Sequence, residues 1–265
     1  MSFERTMIGF GELRKLSLQW HVDLAEAERA YVTDWLLKGL YDQPALAAIL
    51  ILRGSSAMRY AHFIDYPLAD APEFLATQTI PAEKIGEAIQ AAAAISGIQF
   101  ALADFDGGSA KIEYIGPLGR KSAAQPRITL SLIAGQTPID PVRAPLLHRF
   151  SDPCAAIVVA EALEELAAQR IAVLGASPRA RDVYDLWFIA THASSRIDVA
   201  RVRIRADAIA QSKQIALPQT DAPFNPAHQA ILARRWDEAM RDVVAHPTFT
   251  QVEQDLIEFL KLFSN

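Results

Sequence analysis

The chain has 265 residues, 51% of them hydrophobic and 22% charged, enough apolar material for one large core or two smaller ones and too much for extensive disorder. A formal net charge of −5 disfavours indiscriminate binding to nucleic acid, and the single cysteine, Cys154, excludes an intramolecular disulfide or a cysteine-anchored metal cluster. "MSFERTMIGF" holds no apolar stretch fit for a signal peptide and no run approaches a membrane span, so the expected location is cytoplasmic, with no membrane partner.

The first 45 or so residues read as helices. Leu13, Leu16 and Trp20 recur at spacings of three and four, and Leu24, Ala27, Tyr31, Trp35 and Leu36 continue the pattern. Asp23 with Glu26 forms a capping-box signature, and Pro44 stands just past the second helix. "AAILILR" (47–53) reads as a buried strand ended by Gly54, Ser55 and Ser56. "PEFLATQTI" reads as another strand, and "PAEKIGEAIQAAAAISG" as a helix with Pro81 in its first turn and Gly97 at its end. "IQFALADF", "AKIEYIG" and "PRITLSLIA" are strand-like, with "DGG" turning the first pair into a hairpin. The proline-containing "QTPIDPVRAPLLHRFSDP" is the expected linking region, and after "CAAIVVA" the chain turns helical to its end. These segments predict an α/β domain over 1–160, opened by helices, and a helical domain over 161–265.

A strand running into a Gly-Ser-Ser turn and helix, followed by a strand with acidic residues, suits nucleotide transfer. Backbone amides at a small-residue turn can hold phosphates, while paired carboxylates hold magnesium. "LRGSSAMRY", "YPLADAPEF", "EELAAQRIAVL" and "RARDVYDLW", in that order, resemble the AbiEii/AbiGii toxin family, a branch of the polymerase-beta-like nucleotidyltransferases. Its members typically carry stretches like "FKGGTALRK", "YRFSEDLDF", "EEILAEKLRAL" and "PRDLYDLW". "EYIGPLG" and the N-terminal helix pair are similar as well, so the resemblance runs from about residue 8 to 195. It implies an α+β fold: a nucleotidyltransferase-like mixed sheet with flanking helices, plus a helical C-terminal domain.

Residue by residue, the resemblance also implies losses. The family's Asp-x-Asp falls on Ala71 and Glu73, with Ala69 in place of serine and Pro67 in place of arginine. Residues i and i+2 of a strand share a face, so Ala71 and Glu73 are in phase while Asp70 points the other way unless Pro72 bends the chain. The third carboxylate falls on Thr129, a lysine on Arg170, an arginine on Ser177, and a Lys-Asp pair on Arg29 and Ala30. Catalysis would rest on Glu73 and Asp70, and nucleotide contacts on Gly54, Ser55, Ser56, Arg170, Asp182 and Asp185.

Asp182 and Asp185 share a helix face, which serves either a nucleotide or a helix cap and an ion pair with Arg170 or Arg181. Tyr184 and Trp187 read as core residues. Arg201, Arg203 and Arg205 read as a solvated helix face or a basic stripe, and the six histidines show no metal-ligand spacing. The expectation is a degenerate nucleotidyltransferase-fold protein that acts by binding, needs no cofactor, and meets a cognate antitoxin or another protein. The alternative is an active enzyme moving a nucleoside monophosphate from a magnesium-bound triphosphate to RNA, such as tRNA, or to protein, in a toxin–antitoxin or phage-defence system.

Overall fold

A computed structural model describes residues 7–67, 71–119, 126–176, 178–220, 222–241 and 243–263. The chain forms two compact units, Met1–Glu161 and Ala162–Asn265.

In the first unit, α1 (Phe10–Trp20) and α2 (Leu24–Tyr41) precede a short α3 (Pro44–Ala47) and β1 (Leu50–Leu52). The Asp23 carboxylate accepts from the Glu26 amide and so caps α2, as the capping box predicts. The apolar run expected as one strand is divided: Pro44 at the first helical position starts α3, and only three residues remain extended. Next come α4 (Gly54–Ala57), a π-helical turn (Met58–His62), β2 (Glu73–Ala76) and α5 (Ala82–Ser96). Gly97 ends α5 at φ 76°, the left-handed conformation glycine adopts without strain. Then β3 (Gln99–Phe105), β4 (Ser109–Ile115), β5 (Arg127–Ala134), β6 (Val142–Pro145) and β7 (Ile157–Ala160) complete the unit.

Among the described residues the sheet has seven strands in the order β3-β4-β5-β2-β1-β7-β6. It is mixed: β1 runs parallel to β7 and β2 to β5, while the other neighbours are antiparallel. Phe74, Ile112, Tyr114, Ile128, Leu130 and Leu132 are buried on one face, and alternation sends Glu73, Lys111, Glu113, Arg127 and Thr129 to the other. Helix α2 is buried nearly all round and crosses α5 closely at Gly39, where a methyl group would stand 2.6 Å from both the Ala88 carbonyl oxygen and the Ala92 Cβ.

The segment expected as a linker is structural. Within it β6 pairs along β7, with Val142 opposite Ala160 and Pro145 opposite Ile157. Because β6 is an edge strand, its proline can sit there without breaking a central ladder. The remainder is strapped onto the unit. Leu147 accepts from buried Arg59 and donates to the Tyr60 carbonyl, and Arg149 donates to the Ile64 and Tyr66 carbonyls.

The second unit contains α6 (Leu163–Leu174), α7 (Ala180–Ala193), α8 (Val199–Lys213), α9 (Pro226–Ala239) and α10 (Phe249–Leu260). Asp198, Asn225 and Thr248 cap α8, α9 and α10 through their side chains. Of the two aromatic residues expected in the core, Tyr184 is buried against Trp187 and Phe188, whereas Trp187 is half-buried and donates to Asp255 at 2.8 Å. Among the described residues no helix is long and apolar enough to cross a membrane.

Candidate functional site

The end of β1 and the turn after it set the geometry. Leu52 is the last strand residue, and the Arg53 amide continues the ladder by donating to the Glu73 carbonyl at 3.0 Å. Gly54 follows at φ 57°, a conformation that leaves its N–H pointing out of the ladder. That N–H donates to Glu161 Oε2 at 3.0 Å. Glu161 lies one residue beyond β7, its own amide donating to the Leu52 carbonyl at 2.8 Å. His62 Nε2 is 2.8 Å from the Glu161 carbonyl oxygen.

Ser55 is half-buried, and Ser56 is fully buried. The Ser56 hydroxyl donates to the Ala71 carbonyl at 3.2 Å and accepts from the Glu73 amide at 3.0 Å, tying the turn to the start of β2. Two of the donors of this turn, the Gly54 amide and the Ser56 hydroxyl, therefore have partners inside the protein.

Glu73 begins β2 and is exposed on the open face of the sheet. Ser131 of β5 stands directly opposite Glu73, and Ser109 of β4 directly opposite Ser131. Thr129, where the family's third carboxylate was expected, lies opposite Lys111, whose ammonium is 2.8 Å from Asp104. Glu113 is engaged by Arg127 at 2.6 Å. Ala71 precedes the strand in a bend, while Asp70 lies outside the described residues, as do Ala69 and Ser177. Among the described residues, hydroxyls and one carboxylate thus line the rows where the resemblance led to an expectation of three carboxylates. Among the described residues no three His, Cys, Asp or Glu side chains come together to hold a metal ion. Magnesium prefers several oxygen ligands in octahedral geometry, and among the described residues of this face Glu73 is the one carboxylate at the positions where the family carries them.

In the helical unit, Arg170 of α6 and Asp185 of α7 form a buried pair at 2.8 Å. Asp182 takes a two-point contact from Arg179 at 2.8 and 3.1 Å. Arg205, at the end of the alternating arginines, binds buried Glu165 with Nε 2.8 Å from Oε2.

Two constellations escaped sequence reading. Glu161 is one: a carboxylate placed directly after the apolar run "CAAIVVA" was the available signal, but its partner, an amide 107 residues away, left none. The other is a buried polar cluster. His148 stands between Asp34 (Nδ1 to Oδ2, 2.7 Å) and Asp152 (Nε2 to Oδ1, 2.9 Å), and Asp152 also accepts from Tyr31 and Trp35. Burial would lower the imidazole pKa, but the hydrogen bonds and charges of Asp152 and Asp34 outweigh it and push the value up to about 9.

The chain matches the family model described as nucleotidyl transferase AbiEii toxin, type IV TA system, over residues 35–255. It is similar in fold to MenT4, a nucleotidyltransferase toxin from Mycobacterium tuberculosis H37Rv, at a TM-score of 0.66 and 13% identity, covering 97% of this chain and 90% of that one. None of the curated proteins compared matches it. With the family model spanning both compact units and the strand–Gly-Ser-Ser–strand geometry in place, the chain belongs to the AbiEii nucleotidyltransferase toxin family.

Proposed function

We propose that this chain is a degenerate member of its family, impaired in metal-dependent nucleotidyl transfer, and that it acts by binding. The observation that carries the reading is the row across the open sheet face. Glu73 is followed across the sheet by Ser131 and then Ser109, and the two other expected carboxylate positions hold Ala71 and Thr129. Charge neutralisation by metal ions is a dominant contribution to phosphoryl-type transfer, so losing those ligands removes orders of magnitude in rate. The partner is a cognate antitoxin or another protein, in line with the type IV toxin–antitoxin description of the family. Of the residues expected to contact nucleotide, Gly54 and Ser56 are engaged internally, and Arg170 with Asp185 supports packing in the helical unit.

A second reading keeps the family's chemistry, transfer of a nucleoside monophosphate from a magnesium-bound triphosphate to RNA or protein. Its support is Glu73, an exposed carboxylate at the start of β2, next to the Gly54 turn through the Arg53 ladder bond.

Thermal denaturation of the purified protein with each nucleoside triphosphate, with and without magnesium or manganese, separates the two. A ligand that binds the native state raises stability by mass action. The degenerate reading expects no metal-dependent shift. A shift that requires the metal and disappears in Glu73→Ala overturns it.

A further inference from the structure

The Gly54 turn is capped from within. Parallel pairing of Leu52 with Ala160 places the next residues, Arg53 and Glu161, side by side at the ends of β1 and β7. Glu161 is fixed at three points: its amide on the Leu52 carbonyl, its carbonyl against His62 Nε2, and its carboxylate on the Gly54 amide. It is 1% exposed, so the carboxylate cannot swing into solvent without moving backbone that the sheet holds.

We infer that Glu161 is a built-in occupant of the anion cradle, a carboxylate that takes the Gly54 N–H a triphosphate oxygen would need and repels the phosphate from the turn. The inference rests on the reading that this turn is the nucleotide-facing end of the fold. An amide N–H makes one good hydrogen bond, and a phosphoryl oxygen would have to approach to about 2.9 Å, where Oε2 already lies at 3.0 Å. Like charges at such range disfavour each other, and burial reduces the screening that would relieve them. The Ser56 hydroxyl, held by Ala71 and Glu73, offers no compensating donor. Loss of metal ligands and closure of the cradle are separate defects, and the second depends on one side chain.

The test uses the full chain and inorganic triphosphate without any metal, followed by calorimetric titration. Glu161→Ala is expected to bind triphosphate at least tenfold more tightly than the unchanged protein. Glu161→Gln keeps an acceptor for Gly54 but loses the charge, and a gain of at least threefold is expected. Adding Ser55→Asp to Glu161→Ala should cancel the gain, because the new carboxylate stands in the same turn.

A folded Glu161→Ala protein with unchanged affinity overturns the inference, as does a gain that survives Ser55→Asp. Should Glu161→Ala fail to fold, unchanged affinity in folded Glu161→Gln overturns it instead. Transfer by the unchanged protein with magnesium and nucleotide would refute the degenerate reading and the closed cradle together, whereas unchanged triphosphate affinity in the folded variants, without such transfer, overturns the closed cradle alone.

Discussion

His148 holds Asp34 through Nδ1 at 2.7 Å, and through this contact the strap after β6 is fastened to the most buried helix of the first unit. The imidazole titrates near 6.5 when unfolded and about 9 when folded. A group whose pKa rises on folding stabilises fully below its unfolded value. That stabilisation falls as pH climbs from about 6.5 through about 9. Urea denaturation should give a higher midpoint at pH 6 than at pH 9.5. His148→Ala should flatten this dependence and cost about 3–5 kcal/mol by leaving the Asp34 charge buried without its partner. An equally steep profile in the variant would assign the dependence to other groups.

Ser56 is expected to be structural. Replacing it by alanine removes the acceptor of the Glu73 amide at the start of β2, a loss of about 1 kcal/mol for a part-buried hydrogen bond. Thermal denaturation measures it, and a variant as stable as the parent would show that the Glu73 amide finds another acceptor.

Gly39→Ala should destabilise the first unit although alanine is the better helix former. The added methyl meets the Ala88 carbonyl oxygen and the Ala92 Cβ at 2.6 Å, forcing α2 and α5 apart at a cost on the order of 1–3 kcal/mol. Chemical denaturation reads this directly; an increase in stability would mean that the helices separate freely.

The Arg170–Asp185 pair can be separated from any ligand role by a double-mutant cycle on denaturation midpoints. Asp185→Ala removes a close carboxylate partner of the buried Arg170 guanidinium and should cost up to about 3–5 kcal/mol, whereas Arg170→Met combined with Asp185→Leu should cost less than the single change. A double variant at least as destabilised as Asp185→Ala would contradict this.

Local chemistry was legible where the cause lies within a few residues. Asp23 and Glu26 announced the start of α2, Gly97 the end of α5, and Asp106-Gly107-Gly108 the β3–β4 hairpin, where the Asp106 carboxylate accepts from the Gly108 and Ser109 amides. The strand read in "PEFLATQTI" is β2, which Glu73 begins. What failed depended on distant partners. The prolines of residues 136–153 read as a linker because an edge strand with one neighbour looks, in sequence, like no strand at all. His148, Asp34 and Asp152 carry no spacing signal, since their association spans 114 residues in one direction and 4 in the other.

The strand order also constrains synthesis of the chain. Strands β3 and β4 pair only with sequence neighbours, but β1 has β7 along its outer edge, and β7 begins at Ile157. Until the ribosome has released that segment, the outer edge of β1 is open and the unit cannot close. Non-local parallel pairing forms slowly, and an unpaired strand edge is a template for another chain. A nascent chain that stalls before Ile157 therefore exposes the edge that Arg53 and Gly54 terminate, and a chaperone or a bound partner shielding it would act during translation.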